Sequence, residues 1–261
     1  MKFFRSRHIT WLTTPLLTIL LLLGWKAYVV VFDVSRFILP PPERVLGAVL
    51  ELLNEDGIWH EIQVTLVETL LGFLIAIVVG VGLGVVLGKT AWLERTLNPF
   101  IVATQVVPKI ALVPLFILWF GFGITSKVII SAVLAFFPIL TNTLAGIKSI
   151  DRSQHDVMLS LNAGRWATFV NLELPASLPF ILTGMEVGIV LATIGAVVGE
   201  YLGGNAGLGH LAVETLAAFE VDKLFGVIVL LTLMGFILYA AVLGLRRVVV
   251  PWHESVQRER K

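Results

Sequence analysis

Six long apolar runs, separated by polar connections, are the feature of this sequence that most limits its fold. Each run holds about 20 residues, the length of helix that crosses the hydrocarbon core of a bilayer. Backbone amides in lipid need internal partners, and no alternating ten-residue pattern suggests barrel strands, so we expect helices. The sequence predicts an all-α, polytopic membrane protein in which residues 1–261 form one transmembrane domain. The predicted spans are 11–31, 65–87, 100–120, 127–147, 181–202 and 224–245.

The N-terminal run resembles a secretory signal peptide, because Lys2, Arg5 and Arg7 precede the apolar stretch Leu16 to Leu23. The apolar run nevertheless continues to Phe32, and no pair of small residues marks a cleavage site after it. We therefore expect this segment to remain as a membrane anchor.

Lysine and arginine are unevenly distributed over the connections, and such residues favour the cytoplasmic side. An N-terminus in the cytoplasm leaves only Arg36, Arg44, Lys127 and Lys223 outside. The inner side then holds Lys2, Arg5, Arg7, Lys89, Arg95, Lys148, Arg152, Arg165, Arg246, Arg247, Arg258, Arg260 and Lys261. The sequence thus predicts an N-in/C-in topology with the connection 148–180 in the cytoplasm.

Two outer connections carry helical signals of their own. The first begins with the prolines Pro40 to Pro42 and continues with apolar residues at helical spacing, which predicts an amphipathic helix lying on the outer surface. Those apolar residues are Val45, Leu46, Val49, Leu52 and Leu53. The connection between the fifth and sixth spans, "GGNAGLGHLAVETLAAFEVD", predicts a re-entrant or surface helix.

Small residues and prolines mark the second and third spans. Gly72, Ala76, Gly80, Gly84 and Gly88 recur every four residues, which favours close helix packing over direct contact with a substrate. In the third span, Pro108 and Pro114 interrupt the hydrogen-bond ladder and predict a bent or discontinuous helix. Broken helices at membrane depth usually line cavities.

Catalytic, nucleotide and metal motifs are not indicated. "GVVLGKT" ends like a phosphate-binding loop, but the first glycine of that motif would fall at Leu83, and these glycines end a membrane helix. The five histidines, His8, His60, His155, His210 and His253, are scattered, and the chain has no cysteine. We expect no catalytic site, no metal or cofactor bound by this chain, and no nucleic-acid partner.

Charged and polar residues inside the spans are costly unless they face water or a partner. Charges inside the spans include Glu68, Lys109, Glu186 and Glu200, and the glutamates are near enough to the span ends to reach the interface instead. The candidate residues of a translocation pathway are Gln105, Lys109, Asn142, Glu186 and Glu200.

The connection between the fourth and fifth spans predicts a helix-turn-helix. Ser153 is the expected N-cap of a short helix whose apolar face holds Val157, Met158 and Leu161. Asn162 or Gly164 can adopt positive φ and turn the chain, after which Arg165 to Glu173 forms a second helix ended by Pro175. The apolar face either docks on a partner protein or rests on the membrane surface.

This connection resembles the EAA loop of ATP-binding-cassette (ABC) importer permeases. Asp156-Val157-Met158 stands for the E-A-A triplet, Leu161-Asn162-Ala163 for the region of the following glycine, and Leu174-Pro175 for the closing L-P. Stretches throughout the chain, such as "VPKIALVPLFILWFGFGITSKV" and "GAVVGEYLGGNAGLGHL", look like permeases of the nitrate, sulfonate, taurine and bicarbonate group.

The resemblance implies a type I ABC importer permease in the bacterial inner membrane. Its partners would be a second permease copy in a homodimer, a cytoplasmic ABC ATPase dimer that holds ATP and Mg, and an extracytoplasmic substrate-binding protein. The residues implied in coupling to the ATPase are Asp156, Val157, Met158, Leu161, Asn162, Ala163 and Gly164.

Departures from the family pattern bear on the cargo. Val157 and Met158 replace two alanines, and Asn162 replaces a glycine. Glu68 and Glu186 stand where relatives often have basic residues, so the cargo is either a small anion of the family's usual kind or a neutral or cationic solute such as a thiamine-precursor pyrimidine. The alternative function is a secondary transporter or channel that uses Glu68, Glu186 and Glu200 as ion sites; a membrane enzyme has no supporting residues.

Overall fold

The computed structural model describes the backbone of residues 7–251, and the side chains of residue 13 and residues 15–251. All regular secondary structure in this part of the chain is helical. The helices are α1 (Arg7–Val31), α2 (Pro42–Asn54), α3 (Ile58–Lys89), α4 (Ala91–Val106), α5 (Val113–Phe120), α6 (Ile124–Lys148), α7 (Arg152–Ser160), α8 (Arg165–Thr168), α9 (Leu174–Gly203), α10 (Leu208–Ala217) and α11 (Val221–Val249). The basic residues Lys2, Arg5, Arg258, Arg260 and Lys261, and His253, lie outside the described residues.

Four helical segments are long and apolar enough to cross a membrane: α3, α6, α11 and the continuous helix Arg165–Gly203. A fifth candidate is the pair α4 and Lys109–Phe120, whose two arms meet at an angle of 84°. The apolar part of α1, Pro15–Val31, is shorter than these. The all-α prediction is confirmed, and the break predicted by Pro108 lies where α4 ends.

The glycines of α3 pack against α6 in a constant register. Gly72, Gly80, Gly84 and Gly88 face Ser131, Ile139, Thr143 and Ile147 in that order. An added Cβ would lie 2.6 Å from the side chain of Thr143 at Gly84, or of Ile147 at Gly88, so the contact requires glycine. The predicted close packing of this stripe is confirmed, and the rising order of both sets of residues shows that α3 and α6 run parallel.

Parallel packing of α3 and α6 determines the path of the chain between them. After one span ends, the chain must first cross back to the other side of the bilayer before it can begin a second span that runs in the same direction. The bent pair of α4 and α5 supplies that return, so among the described residues the part of the chain from α3 onward holds up to five spans: α3, the broken span, α6, the helix Arg165–Gly203 and α11.

Helix α9 packs antiparallel to α6. Gly195 lies against Ser131, and Gly184, eleven residues earlier, lies against Asn142 further along α6. Ser131 Oγ donates a hydrogen bond to the carbonyl of Ala192 at 2.9 Å. Phe73, Ala135, Ile139, Ile189 and Val242 fill the core among α3, α6, α9 and the later part of α11.

The prediction that Pro175 ends a helix is wrong. Residues 165–203 form one helix, in which a π turn over Phe169–Glu173 joins α8 to α9 and Pro175 lies in the first turn of α9. A proline lacks the N–H and pushes on the carbonyl four residues before it. The wider π turn, in which the amide of Leu174 donates to the carbonyl of Phe169, accommodates the proline without ending the helix.

Residues 7–59 and 211–230 form a second compact unit. Helix α2 is amphipathic, as predicted. On its apolar face Val45, Val49 and Leu52 are buried inside this unit, whereas Leu46 is exposed. Leu52 packs so closely on Gly226 that an added Cβ there would lie 2.9 Å from it. Lys223 pairs with Glu55 at 2.6 Å in the same unit.

Candidate coupling segment and buried charge clusters

The α7 segment (residues 149–173) leaves α6 and returns to α9. Helix α7 begins after Asp151, whose extended backbone (ψ 144°) makes it the N-cap, with no side-chain capping bond. The prediction of Ser153 as N-cap is therefore wrong, since Ser153 is already inside the first helical turn. An N-cap must have non-helical backbone angles, and residue 151 is the position that has them.

Asn162 ends α7 in a left-handed conformation, with φ +52°. The amide of Ala163 donates to the carbonyl of Met158 at 2.9 Å, and that of Asn162 donates to Leu159 at 2.9 Å. This pair of bonds is the Schellman motif, which usually places glycine at the left-handed position. The predicted turn at Asn162 is confirmed, whereas Gly164 has a φ of −68°.

Several apolar side chains of the α7 segment are open to solvent. Leu161 is 70% exposed and Trp166 is 76% exposed, and Val157 is also exposed. Asp156, Asn162 and Gly164 are exposed as well, while Met158 and Ala163 are half-buried. Within the described chain, this polar segment thus carries apolar residues that nothing covers.

Glu173 connects the α7 segment to α3. Its carboxylate accepts a hydrogen bond from Lys89 Nζ at 2.6 Å and lies 3.5 Å from His155 Nε2. The same ammonium lies 5.3 Å from the ring centroid of Phe169. We call Lys89, His155 and Glu173 the loop cluster. Sequence reasoning missed it, because its members are far apart in the chain and Glu173 looks like a solvated helix residue.

A second cluster lies near the other end of α3. Glu68 Oε1 is 3.1 Å from Lys127 Nζ, and both side chains are almost fully buried. Glu68 lies one turn before Gly72, so the register that sets Gly72 against Ser131 also sets Glu68 against Lys127. Glu68 and Glu200, each 1% exposed, are thus packed inside the protein. Lys127, expected among the outer charges, is buried too.

Glu200 belongs to the same end and holds the start of α10. Its carboxylate accepts bonds from Thr65 Oγ1 at 2.7 Å and from the amide of Gly209 at 2.6 Å. The amide of Leu208 donates to Thr65 Oγ1, and that of Gly207 donates to Glu61. The first amides of a helix lack internal partners and attract negative charge, so these side chains cap α10. We call Glu68, Lys127 and Glu200 the buried cluster.

The remaining predicted pathway residues are spread along the helices. Glu186 pairs with Arg246 Nη1 at 3.0 Å, so its charge is compensated rather than repulsive to an anion. Lys109 lies on the turn between α4 and α5, 4.7 Å from the ring centroid of Phe137, and Gln105 is exposed. Asn142 donates to the carbonyl of Pro138 at 2.8 Å. Glu186 and Glu200 are roughly 20 Å apart along α9, so these residues do not form one site.

Among the described side chains, those of residue 13 and residues 15–251, no three His, Asp or Glu are arranged to hold a metal ion. Apolar spans, a broken helix and a short polar helix with exposed apolar residues between two spans are typical of a polytopic transport subunit.

The chain belongs to the family of binding-protein-dependent transport system inner membrane components, which matches residues 72–254. It is 38% identical over 241 residues to the riboflavin transport system permease protein RibX of Chloroflexus aurantiacus, covering 92% of this chain and 90% of that protein. It is 35% identical over 219 residues to the formylaminopyrimidine transport permease protein ThiX of Halalkalibacterium halodurans, covering 84% and 87%. The taurine transport system permease protein TauC of Escherichia coli K12 matches at 29% identity, over 97% of this chain and 93% of that protein.

Among solved structures, the MetNI methionine ABC transporter in an inward-facing conformation has the same fold. A chain of it superposes with a TM-score of 0.66 at 19% sequence identity, covering 75% of this chain and 99% of that chain. The protein is therefore a permease subunit of an ABC importer, with a type I importer fold, and the resemblance read from the sequence is confirmed. This membership replaces the alternative of a self-sufficient secondary transporter.

Proposed function

We propose that residues 156–164 couple this permease to a cytoplasmic ABC ATPase dimer, which holds ATP and Mg. The supporting observation is the exposed apolar surface of Val157 and Leu161 on a helix fixed by the Schellman motif. Apolar groups presented on a rigid helix between polar connections favour a groove on a partner protein over solvent. Asp156, Met158, Ala163 and Gly164 complete this docking surface.

The proposed complex contains two copies of the permease and receives its cargo from an extracytoplasmic binding protein. Family membership supports these partners, and the distribution of lysine and arginine supports cytoplasmic termini and a cytoplasmic α7 segment. In this orientation the loop cluster lies toward the cytoplasm and the buried cluster toward the outside, because they occupy opposite ends of α3.

The proposed cargo is a nitrogen heterocycle of the pyrimidine or flavin kind. The two relatives named for such compounds are 35% and 38% identical to this chain, against 29% for the taurine permease. The pathway then passes the broken span, α6 and α9, where Gln105, Lys109, Asn142, Glu186 and Glu200 remain the candidate residues.

Replacing Leu161 by glutamate tests the docking surface. A carboxylate in an apolar groove must be desolvated without a partner. We therefore expect the Leu161→Glu permease to insert normally into the membrane but to lose both ATPase binding and solute uptake. The measurements are co-purification of the ATPase with detergent-solubilised permease, and uptake in proteoliposomes. Leu161→Met is the matched control, because it keeps the apolar volume and should retain both properties. Normal uptake by Leu161→Glu would exclude this residue from the coupling contact.

A further inference from the structure

A cavity of about 410 Å³ lies beside the start of α3. Its walls include His60, Gln63, Val67 and Glu68 of α3, together with Phe122 and Lys127. Glu68 and Lys89 are separated by roughly 30 Å along α3, so the cavity is far from the loop cluster. Concave sites with mostly apolar walls and a few polar groups are typical of small-molecule binding.

One oxygen of Glu68 has no hydrogen-bond partner among the described residues. Oε1 is 3.1 Å from Lys127 Nζ, but Oε2 is buried and unpaired. A buried carboxylate oxygen without a donor costs free energy, and such a group in a native protein requires an explanation. A donor that enters the cavity with the cargo would supply the missing bond.

The charges of the buried cluster point to the same kind of ligand. The buried cluster holds two carboxylates, Glu68 and Glu200, and one ammonium, that of Lys127, which pairs with Glu68 at 3.1 Å. The carboxylate of Glu200 is already satisfied by Thr65 and Gly209, which leaves Glu68 as the acceptor next to the cavity. His60 and Lys127 are the other titratable groups in the cavity wall. The Lys127 ammonium is already paired with Glu68, so an anion would meet the unpaired carboxylate oxygen, whereas an N–H group would be stabilised by it.

We propose that Glu68 selects the cargo by accepting a hydrogen bond from one of its N–H groups in this cavity. The ligand class is a neutral or cationic nitrogen heterocycle that carries an amino or ring N–H donor. Apolar walls formed by Val64, Val67, Phe122 and Ile124 contact its flat ring. This inference rests on the proposed cargo class and assigns the selection to one residue of the permease.

The experiment uses the full complex of permease, ATPase and binding protein in proteoliposomes. The probes are a formylaminopyrimidine, riboflavin and an analogue of the pyrimidine in which a carbonyl replaces the ring amino group. Uptake is measured for the wild-type protein, Glu68→Gln and Glu68→Asp with the same binding protein. For each probe, the uptake by the variant is divided by the uptake by the wild type, so the preference of the binding protein cancels. A buried bond to a charged acceptor predicts an approximately tenfold lower uptake of the amino compound by Glu68→Gln.

The carbonyl analogue distinguishes selection from general damage. The ratio of its uptake to that of the amino compound should rise in Glu68→Gln, because the new amide can donate to a carbonyl, and Glu68→Asp should keep the preference for the amino compound. Because Glu68→Gln leaves the Lys127 ammonium buried without its partner, the double variant Glu68→Gln/Lys127→Met removes both charges together and should show the same loss of preference.

Each result decides a separate question. If the wild type imports the amino compound and the double variant keeps the wild-type preference over the carbonyl analogue, the role of Glu68 is overturned while the cargo class stands. If the wild type imports neither heterocycle, the proposed cargo class is overturned, and this inference with it.

Discussion

The two charge clusters at the ends of α3 are built from the same residue types but in different surroundings. In the buried cluster, the Glu68 and Lys127 side chains are 1% and 5% exposed, whereas in the loop cluster Lys89 is 37% exposed beside a buried Glu173. A buried ion depends on its partner, because no water is present in the protein interior to take the place of a partner that has been removed. Partial exposure lets water compensate, so such a pair can be exchanged or rearranged.

The difference suggests different roles for the two ends. The buried cluster fixes α3, α6 and the start of α10 in one arrangement and leaves a single acceptor for a ligand. The loop cluster connects α7 to two spans through contacts in which Lys89 and His155 are partly exposed. Substitutions at matched positions can test this contrast.

The largest effect is expected for Lys127→Met. It leaves the Glu68 carboxylate buried without its partner, which costs about 3–5 kcal/mol in comparable pairs. We expect poor expression and a much lower thermal stability of the detergent-solubilised permease. Adding Glu68→Gln should restore most of the stability, because no unpaired charge then remains. If Lys127→Met were as stable as the wild type, water would have to reach the Glu68–Lys127 pair more easily than the low exposure of the two side chains indicates.

An intermediate effect is expected when the charges of the loop cluster are exchanged. Lys89→Glu and Glu173→Lys alone place like charges together, and each should lower stability by about 1–2 kcal/mol, less than in the buried cluster because Lys89 is partly solvated. The larger loss should be in the number of solute molecules imported per ATP hydrolysed.

Combining the two reversals is the control. The double variant Lys89→Glu/Glu173→Lys restores an ion pair with the same partners and should recover part of the transport coupling. Coupling that stays as low as in the single variants would mean that the orientation of this pair, and not its attraction, matters.

The smallest effect is expected for His155→Gln. The imidazole is 3.5 Å from Glu173 and 39% exposed, and exposed pairs contribute less than about 1 kcal/mol. Uptake should fall by less than about fivefold. Raising the salt concentration should reproduce part of this loss in the wild type, because screening acts on exposed charges, and should leave the buried cluster unaffected. A salt-independent activity would exclude an electrostatic role for His155.

Features that depend on local chemistry were predictable from the sequence. Periodic glycines indicated the packing face of α3, Pro108 indicated the break after α4, and Asn162 indicated the turn after α7. Each depends on backbone geometry or residue size over a few positions.

Features that depend on distant partners were not predictable. From the sequence, Glu68 and Glu186 are intramembrane acids without a visible partner, because Lys127 is in another span and Arg246 is 60 residues away from Glu186. The end of a helix at Pro175 was expected from local sterics, which a π turn relieved. Ser153 was a plausible cap by residue type, but the backbone places the cap two residues earlier.

The constant register between α3 and α6 has a mechanical consequence. A slide of one helical turn, about 5.4 Å, would bring Thr143 from Gly84 to another glycine of the stripe, but it would separate Glu68 from Lys127. The buried ion pair, and not the glycine stripe, therefore opposes a change in the relative height of the two helices. We expect α3 and α6 to move as one rigid unit during transport, with the change in helix angle occurring at the bend between α4 and α5.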